Sequence, residues 1–281
     1  MNQNDVMKVD MLCVRKLPWC PANHHAYVPS EAQEPELYWD RVAYAGWPFD
    51  LHNPKGMRDP TAPPFTSHKM PYMFSTPLRS LISKDLTNLF FAGRLASFSH
   101  VVYGSQRVMK TCATMGQAAG TAAAYAVKHR LEPIALKDHP DAVWSIQQQL
   151  MRDDAFIIGL KNTDPRDHAR TATVTASSEQ QNGTAANIIT GQSRAVTTGP
   201  VDVSIGAGGG VPFSQGVNGT NRWISQGLPA SISLALAKPT PVKQVQLVFD
   251  TGMHRHLAWS MRMDTSNKAN YWGPVEKKNF N

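Results

Sequence analysis

Between Thr111 and Ala126 the chain carries a proline-free run built largely from tiny side chains: Ala113, Gly116, Ala118, Ala119, Gly120, Ala122, Ala123 and Ala124. With Gly104-Ser105-Gln106-Arg107 before it, the run predicts a helix over about 104–128. Lys128-His129-Arg130 suits the negative end of that helix, and Pro133 follows as a stop. Glycine inside a helix costs about 1 kcal/mol relative to alanine, so Gly116 and Gly120 need a reason. Missing side chains let a strand, another helix or a flat ligand reach the backbone. The residues alone leave tight packing and ligand binding equally open. A membrane-dimer face of the Gly-x-x-x-Gly kind fails, because Lys110 and Lys128 bracket a stretch that contains Gln117 and is shorter than the ~18–20 apolar residues a span needs.

The segments on either side differ in texture. Residues 1–75 are rich in Pro, His and aromatics, as in Leu17-Pro18-Trp19-Cys20-Pro21, Gly46-Trp47-Pro48-Phe49-Asp50 and Met70-Pro71-Tyr72, which predicts extended segments and turns. Leu89-Phe90-Phe91-Ala92, stopped by Gly93, suits a short buried strand. A second helix is expected over about 139–151, where Val143, Ile146 and Leu150 recur at helical spacing. From about residue 168, Thr171 to Ser177, Ser231 to Leu236 and Gln244 to Phe249 alternate in strand fashion between Asn/Gly/Ser/Pro turns. That pattern predicts an antiparallel β-sandwich. The expected division is therefore a first domain over 1–163 and a β domain over 168–281.

Composition excludes several classes. The formal net charge of +7 is spread out, with no basic run beyond a dipeptide such as Lys277-Lys278, so there is no patch for nucleic acid. Three cysteines, Cys13, Cys20 and Cys112, form neither a disulfide framework nor a zinc or iron–sulfur spacing, which argues against iron–sulfur electron transfer. His254-Arg255-His256 puts two imidazoles on one strand face without a third ligand, so no metal is expected. The start of the sequence, Met1-Asn2-Gln3-Asn4-Asp5, lacks the apolar core of a signal peptide and leaves the compartment unassigned.

Several motifs, in order and at sensible spacing over about residues 40–160, resemble a family of FAD-dependent oxidoreductases related to the heterodisulfide-reductase-like flavoproteins. They are Trp47-Pro48-Phe49-Asp50-Leu51-His52-Asn53-Pro54, Pro77-Leu78-Arg79-Ser80-Leu81 and Asn88-Leu89-Phe90-Phe91-Ala92-Gly93-Arg94. Ser97-Phe98-Ser99-His100, Arg107-Val108-Met109, Gly116-Gln117-Ala118-Ala119-Gly120 and Gln147 to Phe156 continue the match. The resemblance implies FAD as cofactor, lying across a doubly wound α/β fold, and a small organic substrate that gives a hydride to the flavin. It implies that Ala92, Gly93 and Arg94 pass beside the ribityl chain. It also implies that Gly116, Gln117 and Ala118 aim backbone N–H groups at the pyrimidine end of the ring. Arg94 and Arg107 are candidates for reinforcing positive potential there, with an ion pair or a solvated charge as the plainer alternative. A group that handles the substrate proton is also required, and His52 or His100 suits it near neutral pH. His68, Tyr72 and Tyr103 are further candidates.

Two departures qualify the resemblance. The dinucleotide fingerprint Gly-x-Gly-x-x-Gly expected near the start is absent, and Gly206-Ala207-Gly208-Gly209-Gly210 has Val211 and Pro212 where a glycine and a helix are required. The family's Arg-rich motif is missing as well. The chain thus reads as the C-terminal part of a longer flavoprotein, with an incomplete doubly wound domain that by itself is not expected to hold FAD tightly or to be active. The β region, through Ala172 to Ser178, Asn187 to Gly191, Trp223-Ile224-Ser225 and Lys243 to Asp250, resembles a galactose-binding-like (discoidin-type) sandwich with its last strands cut. That second resemblance supports a competing reading, a carbohydrate- or surface-binding module in which Trp223 and Trp259 stack on a sugar ring and the first half is scaffold.

Overall fold

The computed structural model describes residues 38–47, 49–68, 74–181, 183–192 and 222–249. These fall into two units. The first holds the described residues up to Arg170 together with 189–192, and the second holds 171–188 and 222–249.

Among the described residues of the first unit, four short strands precede three α-helices. Strand β1 (Arg41–Ala45) is followed by β2 (Phe49–His52), β3 (Phe65–His68) and β4 (Phe74–Pro77). β1 pairs antiparallel with β4, bulged between Arg41 and Ala43, and β2 pairs antiparallel with β3. The incomplete doubly wound domain implied by the resemblance shows no parallel ladder among the described residues, where every ladder is two-stranded and antiparallel. This mixture of helices and small sheets is consistent with a partial FAD oxidoreductase domain. Parallel neighbours need a crossover between them, and here the helices follow the four strands instead of alternating with them. The expected strand at Leu89 to Ala92 is reduced to a single antiparallel bridge between Phe90 and Ile82. The Phe91 amide donates to the Leu81 carbonyl at 2.7 Å.

The predicted helix over about 104–128 is two helices. α1 (His100–Gln106) opens on Ser99, whose hydroxyl accepts from the Val102 amide. At Val108 the backbone becomes extended (ψ 146°), and α2 (Met109–His129) begins immediately after. Neither proline nor glycine marks this break. α2 closes with Arg130 in the left-handed region, after Lys128 and His129 in its last turn. α3 (Pro140–Arg152) starts on a proline that needs no amide partner in the first turn.

α2 and α3 pack on β1. Met115, Ala118, Ala119, Ala122 and Ala126 of α2 meet Leu78, Leu81, Ile82, Val143, Ile146 and Leu150 in one apolar cluster. Alanine on this face removes side-chain bulk between the helix and its neighbours without the helix cost of glycine. Gln147, buried on α3, donates to the carbonyls of Trp39 and Arg41 at 2.9 and 2.8 Å and so satisfies backbone groups at the head of β1. Nearby, buried Asp40 accepts from the Arg79 guanidinium at 2.8 Å and from the Arg79 amide at 3.1 Å. Burial pushes the Asp40 carboxyl up from its usual range, and Arg79 pulls against that shift.

The described residues of the second unit hold one ladder, β5 (Thr173–Ala176) antiparallel to β6 (Ile232–Ala235), prolonged by the Ser177 amide donating to Ser231 at 2.9 Å. Gly183 lies so close to Ile224 that a Cβ would come within 2.7 Å of its side chain. Trp223, half-buried, donates its indole N–H to the Ser178 carbonyl at 2.9 Å. Two packed sheets are not seen among these residues. The alternating segment Gln244 to Phe249 forms no ladder, and Val245, Leu247 and Phe249 are exposed together with Val248. Alternation makes a strand only where a neighbour supplies the missing hydrogen bonds. Gly206 to Gly210, His254 to His256 and Trp259 lie outside the described residues.

Candidate functional site

The β2–β3 hairpin pairs Asp50 with Ser67, Leu51 with Thr66 and His52 with Phe65. Strand alternation puts Asp50, His52 and Phe65 on one face and Leu51 on the other. The His52 and Phe65 rings lie with centroids 6.3 Å apart. α1 packs on β2 through Gly104, where a Cβ would stand 2.9 Å from both the Asp50 carbonyl oxygen and Leu51 Cδ2. The residues after Gly104 fasten that approach. Ser105 Oγ donates to the Trp47 carbonyl at 2.6 Å. Arg107 Nη2 donates to the Asp50 carbonyl at 3.3 Å and to Asp50 Oδ2 at 2.8 Å. The same Oδ2 lies 3.4 Å from His52 Nε2, so one carboxylate oxygen stands between the guanidinium and the imidazole.

A second set of contacts joins this cluster to α2. Arg94 Nε donates to the Arg107 carbonyl at 3.4 Å. Gly93, just before it, has φ +61°, a conformation that favours glycine. A Cβ there would rest 3.5 Å from Cys112 Cβ, in the first turn of α2. Gly116 and Gly120 follow Cys112 at successive four-residue steps along the helix. Among the described residues, no atom lies within 4 Å of where a Cβ on either glycine would sit. Residues of this face, Ala113, Gly116, Gly120 and Ala124, are exposed between exposed Met109 and Val127.

The structure therefore gathers His52, Arg107 and Arg94, and it sets Gly93 beside the start of the open α2 face that carries Gly116. Ala92, extended and half-buried, leads into Gly93. Gln117 is exposed and its side-chain amide donates to the Asp153 carbonyl at 3.2 Å. Ala118 is fully buried in the apolar cluster. Because α2 begins at Met109, the amides of Gly116, Gln117 and Ala118 lie beyond the first turn, where intrahelical bonds use them. His100, exposed at the head of α1, has no hydrogen bond or ion pair to Asp50, His52 or Arg107 among the described residues. The His68 side chain and Tyr72 lie outside the described part. Asp50, Gly104 and Cys112 complete the arrangement, though nothing in the sequence marked them as candidate site residues. Only the Trp47 to His52 motif hinted at Asp50.

Residues 22–150 match the family model for FAD dependent oxidoreductases. That segment is an FAD-dependent oxidoreductase family domain. The cofactor this family implies is FAD. The match carries no support for the heterodisulfide-reductase-like branch or for a galactose-binding-like module. No curated protein and no solved structure matches the chain. Among the described residues, no helix is long and apolar enough to cross a membrane, and no three His, Cys, Asp or Glu side chains gather as metal ligands.

The residues present fit a flat ring system. Gly93 can take its left-handed backbone without a side chain, and the Gly116–Gly120 edge of α2 offers bare backbone with no described atom packed over it. When bound, FAD supplies a two-electron acceptor.

Proposed function

We propose that this chain takes part in FAD-dependent oxidation of a small organic substrate by hydride transfer, with the flavin lying along the open face of α2. The observation that carries the reading is the pair of helix-interior glycines, Gly116 and Gly120, inside the family-matched segment with no described atom packed over them. Each costs helix stability that no described contact offsets, which favours ligand room over close packing. Ala92, Gly93 and Arg94 would line one end of the ring system, and Gly116 with Gln117 would line its edge. Arg94 brings positive charge to that end, which favours negative charge on an electron-rich ring, while Arg107, its charge balanced by Asp50, offers guanidinium donors. His52, held on the hairpin face beside Arg107, takes the substrate proton; His100 is the second candidate.

FAD titration of the full chain, followed by flavin fluorescence, tests the placement. Weak saturable binding is expected, with Gly116→Leu and Gly120→Leu reducing affinity at least ~10-fold while Ala124→Ser leaves it unchanged. Absence of saturable binding, or equal affinity in the leucine variants, overturns it.

A further inference from the structure

The Asp50 carboxylate has no part in the reading above, yet it sits where two of that reading's side chains meet. Arg107 follows the end of α1, and its guanidinium spans back to β2 to reach Asp50. His52 is two residues along the same strand face, with Nε2 3.4 Å from the same oxygen. The approach is built in at the backbone, because Gly104 removes the Cβ that would strike the Asp50 carbonyl. Arg107 Nη2 donates to both the carboxylate, at 2.8 Å, and the carbonyl of Asp50, at 3.3 Å, a charge-assisted contact that tethers this end of the guanidinium. A carboxylate facing one imidazole nitrogen leaves the other, Nδ1, turned away and available to a substrate proton. Phe65 lies beside the imidazole on the paired strand, with ring centroids 6.3 Å apart.

We propose that Asp50 is the positioning residue of this site, holding Arg107 and His52 against one carboxylate oxygen so that both address the same substrate group. The role rests on the flavoenzyme reading for its purpose, but not for its test. Nitrogen NMR of the full chain reads Arg107 through its guanidinium signals, which separate when rotation is restrained, and three-bond couplings across His52 χ1 read the imidazole. In the parent, resolved Arg107 Nη signals and a single His52 rotamer are expected. In Asp50→Asn both signatures average out while the amide spectrum of α2 and α3 is retained, and Asp50→Glu restores at least part of each. Averaged signals in the parent, or signals unmoved by Asp50→Asn, overturn the proposal. If Asp50→Asn fails to fold, Asp50→Ser is read in its place: joint averaging of the Arg107 and His52 signals supports the role, and averaging of neither or of one alone refutes it. FAD titration of the same parent sample is scored separately, so failure of flavin binding and failure of Asp50 positioning are distinguishable.

Discussion

Along α2, Ala118 and Ala122 have no exposed surface, whereas Gly116, Gly120 and Ala124 lie open on the other side of the same helix. Both faces are made of tiny residues. On the buried face, small size serves contact: Ala118, Ala119 and Ala122 share one apolar cluster with Leu81, Ile146 and Leu150. On the open face it serves vacancy, with glycine where alanine would make the better helix. A stripe of small residues therefore has two physical meanings, and only its neighbours tell them apart.

The largest expected effect is on the filled side. Ile146→Ala, opposite the buried face, is expected to cost about 2–5 kcal/mol by cavity formation, measured by denaturant unfolding. Overfilling the same side with Ala122→Leu is expected to cost about 1–3 kcal/mol, while Ala124→Leu stays within about 0.5 kcal/mol. Equal costs for the two leucines would break the contrast. Gly120→Ala is expected to stabilise the chain by up to about 1 kcal/mol, the sign reversing if an unseen packing partner needs the glycine. Neither face of α2 between Thr111 and Val127 carries a carboxylate, so acid is expected to leave the difference between Ala122→Leu and Ala124→Leu intact. Total stability is expected to fall with acid in a specific window. Hydrogen bonding from Arg166 lowers the Asp164 carboxyl from 3.8 to about 2. A depressed folded value means the contribution is whole above 3.8 and lost as pH falls towards 2. Arg166→Ala flattens that loss in a pH series of unfolding midpoints.

Helical periodicity was legible: Val143, Ile146 and Leu150 all lie in the core of α3, as their spacing predicts. The break at Val108 was not, because an extended residue without proline or glycine leaves no mark in composition. Gln244 to Phe249 alternates as a strand does, yet pairing depends on a neighbour that local sequence does not name. The candidate site was half legible. His52, Arg94 and Arg107 stood out through the family resemblance, but Asp50 is 57 residues from Arg107 and no spacing rule links them. Gly104 reads in the sequence as the start of the predicted helix, and its purpose emerges only from the Asp50 carbonyl lying against it.

The extended turn at Val108 fixes the angular phase of everything after it. Deleting that one residue would move each position of α2 into its predecessor's seat, a rotation of about 100°. Gly116 would inherit the place of Met115, and Gly120 that of Ala119. The helix would survive by its own propensity, but a void would open inside the molecule while former core methyls turned to water. Length at this joint is thus as tightly constrained as any side chain in the site.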